Sequence, residues 1–257
     1  MWKLYDELYI GIPSGIRITG CIVGETWTIV RIDGNVGFAH TITQPPNAGE
    51  YAAGFVGKYL RDVACHLHWD ELWDATVGVA AMNAWYNTAA RAVGLNGIDN
   101  HPSKLPGKTV VVGKTGDLPM PMTPDFDPVP YEKLKTYSNV IIESMALTTR
   151  ALPRLLALTG EGPHVVLTGS SLPLTALFFS FDMPVREIRG FYTRDVETVA
   201  AWSTDGVEML DKGISAFTVR PVTVSKIHEA AALKKELSSV YGASKFNIHF
   251  NAIHPTS

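Results

Sequence analysis

The spacing of hydrophobic positions changes character near residue 100, and the change divides the chain. At the start, Leu4, Leu8 and Ile10, with Trp2 and Tyr5 nearby, predict a short amphipathic helix that "GIPSG" ends. The runs "IRITGCIVG" (16–24), "TWTIVRI" (26–32) and "VGFAHTI" (36–42) then read as strands. Asp33-Gly34-Asn35 between the last two is a hairpin signal. In the middle strand Trp27, Ile29 and Arg31 share one face, and Thr26, Thr28 and Val30 the other. A Pro- and Gly-rich loop (43–54) leads to two helical patterns, 57–68 and 71–91. The first part of the chain therefore reads as an α+β unit, a β-meander followed by helices.

"GLNGIDNHPSKLPG" (94–107) has no periodicity and is the best boundary in the sequence. Beyond it, short continuous apolar runs alternate with helical patterns. Strands are expected at "TVVVG" (109–113), "NVIIES" (139–144), "HVVLTG" (164–169) and "VREIRGF" (185–191). Helices are expected near 149–158, 173–180 and 194–204. Apolar strands separated by helices predict a mostly parallel, Rossmann-like α/β sheet covered on both faces. The expected division is thus 1–95, an α+β domain; 104–220, the α/β domain; and 221–257, an extension with a helical centre (224–240) striped by Leu233, Leu237 and Val240.

Composition narrows the function classes. The chain has 257 residues, 46% of them hydrophobic and 18% charged, with a formal net charge of -3. No run of Lys and Arg forms the basic footprint of a nucleic-acid binder. No segment approaches the ~18 apolar residues of a membrane span. The start of the chain carries acids inside its apolar stretch, unlike a secretory signal. With two cysteines, Cys21 and Cys65, a reducing compartment and unpaired thiols are the default. We therefore expect a soluble, cytoplasmic protein, and the weak charge and apolar composition leave a homo-oligomer open.

In a parallel α/β sheet, ligands bind beyond the C-terminal strand ends. Here those ends are polar and small: "VGKTGDLP" (112–119), "IESMALTTR" (142–150) and "LTGSSLPL" (167–174). Thr168, Gly169, Ser170 and Ser171 precede an expected helix, where they could hold an anion or serve as an ordinary N-cap. Glu143 at a strand end is a candidate catalytic acid–base group, with Lys114 as its counterpart; a solvated rim pair is the plain alternative. Asn83, Tyr86 and Asn87 stand at helical positions i, i+3 and i+4, so the end of the second long helix carries a stripe of hydrogen-bonding groups. "VVVGKTGD" lacks both G-x-G-x-x-G and the full phosphate loop, so NAD or ATP is not expected. His66 and His68 in "CHLHWDE" would point apart on a helix, and no C-x-x-C, H-E-x-x-H or calcium loop occurs. The metal question stays open.

Four segments, "WTIVR" (27–31), "VGVAAMNAWYNT" (77–88), "GDLPMP" (116–121) and "LTGSSLPLTALFF" (167–179), occur in the order of a known pattern. Through them, residues 1–220 resemble a bacterial and archaeal family described as heavy-metal chelation proteins. In that family an enolase-N-terminal-like domain precedes a Rossmann-like domain, and the proposed active site lies between them. The resemblance implies that Asn83, Tyr86 and Asn87 wall a cleft facing the strand ends at 113–117, 143–148 and 168–172; the plain alternative is that Asn87 ends its helix and Asn83 satisfies a buried backbone group. Arg31 is a further candidate substrate contact. Two departures stand out. Only "GKTVVVGKTGDLP" fills the space where the family has a strand, turn, helix and strand, so either one β-α unit is missing or "TVVVG" is the family's second strand. The tail from Pro221 also runs past the pattern. The resulting expectation is an enzyme acting on a small polar or anionic metabolite, in the biosynthesis or handling of a metal chelator. The alternative is a non-catalytic binder of a metal or metal chelate.

Overall fold

The computed structural model describes residues 3–95, 104–115, 118–122, 128–180, 184–200 and 213–221. The described residues up to Val219 form one compact unit. The expected helix at 224–240 lies outside the described residues.

The chain opens with helix α1 (Lys3–Ile10), which buries Leu4, Tyr5 and Leu8. Strands β1 (Ile18–Val23), β2 (Trp27–Ile32) and β3 (Asn35–His40) form the expected antiparallel meander. Gly34, at φ 76°, makes the β2–β3 turn. The expected loop at 43–54 contains a short helix, α2 (Ala48–Ala53). The single helix expected at 57–68 is α3 (Leu60–Ala64) followed by a 3-10 turn (Cys65–His68). The helix expected at 71–91 is α4 (Leu72–Tyr86), closed by Asn87, and then α5 (Ala89–Gly94).

Helix α4 positions everything else. Its apolar residues are spread around the whole helix, because it is buried on nearly every side. The residues of β2 and β3 that face it, Val30, Ile32 and Ala39, join its core. Gly37 allows β3 to lie directly on the helix backbone, since a Cβ there would stand 1.9 Å from the Ala84 nitrogen. Gly78 does the same on another side, where a Cβ would come within 2.7 Å of the Leu67 nitrogen. The other face of the meander has its own core, in which Trp27, Ile29, Val36 and Phe38 meet Val199 and Ile214. The alternation expected in the middle strand is therefore real, but both faces are buried.

The second sheet has six strands: β4 (Thr109–Thr115), β5 (Leu118–Met122), β6 (Asn139–Glu143), β7 (His164–Thr168), β8 (Val185–Thr193) and β9 (Ile214–Val219). Their order is β5-β4-β6-β7-β8-β9. Strands β4, β6, β7 and β8 are parallel, and an antiparallel strand closes each edge. The mixed α/β class expected from the pattern is the observed one, with two strands the pattern did not announce. Strand β5 runs through "LPMPM". It tolerates two prolines because it is an edge, and residues two apart direct their backbone groups the same way, so both missing N–H groups can face the open side. Helices α6 (Met145–Thr148) and α7 (Leu152–Thr159) follow β6, and α8 (Val196–Ala200) follows β8. The helix expected near 173–180 is a four-residue 3-10 turn, Ala176–Phe179. Pro173 disfavours helical geometry in the residue before it, and Thr175 is extended and caps the short turn with its side chain.

Candidate functional site

Strand register brings four polar side chains into one row. Glu143, the last residue of β6, is in register with Thr168 of β7. Thr168 is in register with Arg189 of β8, and Arg189 with Thr218 of β9. Residues in register across a sheet project from the same face, so the row reads acid, hydroxyl, guanidinium, hydroxyl. Neighbouring strands lie ~4.8 Å apart, which sets the backbones of Glu143 and Arg189 about 10 Å from each other. Thr168, Arg189 and Thr218 line a cavity of about 210 Å³ together with Gly190, Phe191, Ala216 and Phe217.

Each charged member is held from beside or below. The Glu143 carboxylate lies over Gly113 of β4, whose Cβ position would be 3.2 Å from the carboxyl carbon. Arg189 donates through Nε to Glu187, a carboxylate with no exposure at all. Charge pairing of this kind fixes the guanidinium and keeps a buried acid compensated. Lys114 is placed by its backbone opposite Pro119, and its side chain lies outside the described residues.

The "TGSS" segment is occupied largely by the fold. Gly169 adopts φ 123°, and a Cβ there would meet the Ser144 Oγ at 2.3 Å. Ser144 Oγ accepts the Ser171 N–H at 3.2 Å, and Ser171 Oγ accepts the His40 N–H at 2.9 Å. Ser171 is fully buried, and Ser170 is half-buried. With only a 3-10 turn after it, the segment is not the helix N-terminus that the sequence suggested.

The stripe on α4 is likewise built into a seam. Asn83 donates to the Phe38 carbonyl at 2.8 Å. Its buried Oδ1 has no hydrogen-bond partner among the described residues. Tyr86 donates to the Leu8 carbonyl at 2.8 Å, and burial pushes its hydroxyl pKa up to about 12. Asn87 donates to Leu172 at 2.8 Å and Phe191 at 3.0 Å and accepts the Leu174 N–H at 2.7 Å. Where the sequence reading placed the wall of an open cleft, Asn87 joins the two layers directly. Thr193 reinforces the seam by donating to the Val36 carbonyl at 2.7 Å.

Arg31 projects toward α8 and pairs with Glu197 at 2.6 Å, with both side chains well exposed. Exposed pairs contribute ~0–1 kcal/mol. Arg31→Ala is accordingly expected to leave thermal stability within about 4 °C of wild type; a larger drop in a melting curve would contradict this surface assignment.

The described residues do not fit a bare metal ion. His66 lies against Asp74 (Nδ1–Oδ1 3.5 Å), whereas His68 lies against Asp6 (Nε2–Oδ1 3.3 Å). The two imidazoles of the H-x-H pair thus serve different carboxylates. Cys21 and Cys65 are free thiols, and burial pushes Cys21 up to about 12, which disfavours the thiolate that binds soft metals. Among the described residues, no three His, Cys, Asp or Glu side chains gather as a metal site.

Sequence reasoning missed Arg189, Glu187 and Thr218. The signal was present in "VREIRGF", where Glu187 and Arg189 alternate on one face of an apolar strand.

Comparison with known proteins bears out the resemblance read from the sequence. Residues 5–86 match the model of a family described as "Putative heavy-metal chelation" (DUF4213). The whole fold is similar to a protein of unknown function from the DUF364 family of Desulfitobacterium hafniense DCB-2, at 23% identity and a TM-score of 0.70, covering 86% of this chain and 98% of that one. A DUF364 protein of unknown function from Pyrococcus horikoshii is similar at 14% identity and a TM-score of 0.61, covering 85% and 98%. No curated protein matches the chain. No described helix is long and apolar enough to cross a membrane.

Proposed function

We propose that this protein binds a small polar, anionic metabolite on the polar row that crosses β6 to β9, with Arg189 as the anion anchor and Thr168 and Thr218 as flanking hydroxyls. The observation that carries the reading is the row Glu143–Thr168–Arg189–Thr218, in register across four strands beside a cavity. A guanidinium held by a buried acid is a preorganised partner for a carboxylate or phosphate. Glu143 and Lys114 are the groups we assign to acid–base chemistry on the bound molecule, in a cytoplasmic enzyme.

The family description enters through the ligand. The described donors do not suit a bare soft metal, which calls for thiolate or imidazole clusters. A metal already wrapped in an anionic organic chelate presents carboxylates at its periphery, and those suit Arg189 and the two threonines. A chelate, or its biosynthetic precursor, therefore belongs to the ligand class proposed here.

Native mass spectrometry of freshly purified protein, with elemental analysis of the same sample, tests the reading. The expected result is a small organic mass, with or without a metal, that is lost in Thr168→Val. Glu143→Gln is expected to retain the mass and to fail in turnover. A bare metal ion retained in both variants would overturn the proposal. So would an empty protein that shows no thermal shift with a panel of carboxylic acids.

A further inference from the structure

A second polar cluster is buried where α2, α4 and the 65–68 turn meet. Asp74, in the first turn of α4, is almost fully buried. Tyr51 of α2 donates its hydroxyl to the Asp74 carboxylate. His66 Nδ1 lies 3.5 Å from the same oxygen, at the limit of hydrogen-bond reach, and has no hydrogen-bond partner among the described residues. The imidazole is packed between aromatic rings. It stacks on Trp69 with centroids 3.6 Å apart and planes at 17°, and it meets Phe55 edge-on at 5.4 Å. Trp69 is half exposed, and Arg150 from the α6–α7 turn donates to its carbonyl and to that of Asp70. The histidine is therefore the inner layer of a stack whose outer layer faces water.

We infer that His66 is an acid-sensing pin: when it takes up a proton it leaves the space between Phe55 and Trp69, and the surface formed by residues 54–59 and 65–71 loosens. The charged groups around it set the direction. Asp74 favours the imidazolium, Lys58 from the α2–α3 loop opposes it, and burial opposes it most strongly. The net effect lowers the His66 pKa below its ordinary 6.5. Stacking on Trp69 returns only part of the lost hydration, since a ring face solvates a cation less well than water does. The pH dependence follows from linkage. The unfolded or opened chain binds a proton at about 6.5, and the closed form binds it only at lower pH. Stability is full above 6.5 and falls as pH drops through the His66 value.

The experiment is a fluorescence titration from pH 8 to pH 5, with Trp69→Phe subtracted to isolate the Trp69 signal. A single-proton change with its midpoint below 6.5 is expected, and it should be absent in His66→Phe, which keeps the ring without the titration. Asp74→Asn removes the favourable carboxylate and should move the midpoint further down. A flat Trp69 signal, a transition that persists in His66→Phe, or a midpoint above 6.5 would each overturn the inference. If His66→Phe does not fold, hydrogen exchange of the wild type decides. Peptides spanning 48–59 and 65–74 should exchange faster at pH 5.5 than at pH 7.5 after correction for intrinsic rate, and equal protection would overturn it.

Discussion

Gly37→Ala is expected to cost the N-terminal layer most of its stability. The added methyl would sit 1.9 Å from the Ala84 nitrogen, 2.3 Å from the Ala80 carbonyl oxygen and 2.5 Å from the Asn83 carbonyl carbon. All three are backbone atoms of α4, so no side chain can turn away to make room. Either β3 or α4 must move. Moving them apart stretches the hydrogen bonds that cross this interface, Asn35 Nδ2 to the Ala84 carbonyl at 2.6 Å and Asn83 Nδ2 to the Phe38 carbonyl at 2.8 Å. Overpacking alone costs ~1–3 kcal/mol, and each buried group left unpaired about 1–3 kcal/mol more. With the two named bonds the sum, roughly 3–9 kcal/mol, is comparable to the whole stability of many domains, ~5–15 kcal/mol. We expect a fall in Tm of more than ~10 °C, or no recoverable folded protein. Gly20→Ala is the matched control, because its Cβ would meet only the Arg31 Cβ at 3.5 Å, an ordinary contact. A Gly37→Ala protein melting with the Gly20→Ala protein would show that the close approach is not structural.

The contrast between these two glycines shows what the sequence could and could not disclose. Periodicity located the three-stranded meander, because alternation in "TWTIVRI" is a local property and Asp33-Gly34-Asn35 is a local turn signal. It also located β4, β6, β7 and β8, whose continuous apolar runs are what strands inside a covered sheet require. The edge strand β5 was hidden by its prolines, since their tolerance depends on lying at the edge of the sheet, which is a tertiary fact. The 3-10 turn at Ala176–Phe179 was read as a longer helix because its apolar spacing fits both. In the site, Glu143 and Thr168 were legible as polar residues closing apolar strands. Arg189 was not, because its strand continues past it to Thr193, and its relation to Thr168 is set by a register shift between β7 and β8 at Val165 and Val166. No local pattern encodes that shift. Ser171 and Asn87 were legible as polar groups, but their partners lie 131 and 85 or more positions away in the chain.

Asn87→Ala is expected to produce the second large effect, and its outcome separates a seam from a binding surface. A side-chain amide has two N–H donors and one carbonyl acceptor. In Asn87 both donors are used, toward Leu172 and Phe191, and the acceptor takes the Leu174 N–H. The residue is 1% exposed, so water cannot replace these bonds without opening the structure. Truncation to alanine strands two carbonyls and one amide, at about 1–3 kcal/mol each. The backbone of Asn87 would still hold Thr193 through the bond from the Thr193 N–H at 3.1 Å, so we expect partial rather than complete loss of the seam. A net cost of ~3–5 kcal/mol in a unit of this size corresponds to a Tm lower by roughly 10–15 °C. Asn87→Asp should be no better, because it places a carboxylate oxygen against two carbonyl oxygens in place of an N–H pair. Asn87→Ala read together with native mass spectrometry decides the role. A much lower Tm, with any copurifying mass still bound at low temperature, identifies Asn87 as the joint between the two layers. An unchanged Tm with the bound mass lost would instead make it a ligand contact, and would require the layers to part there when the ligand enters.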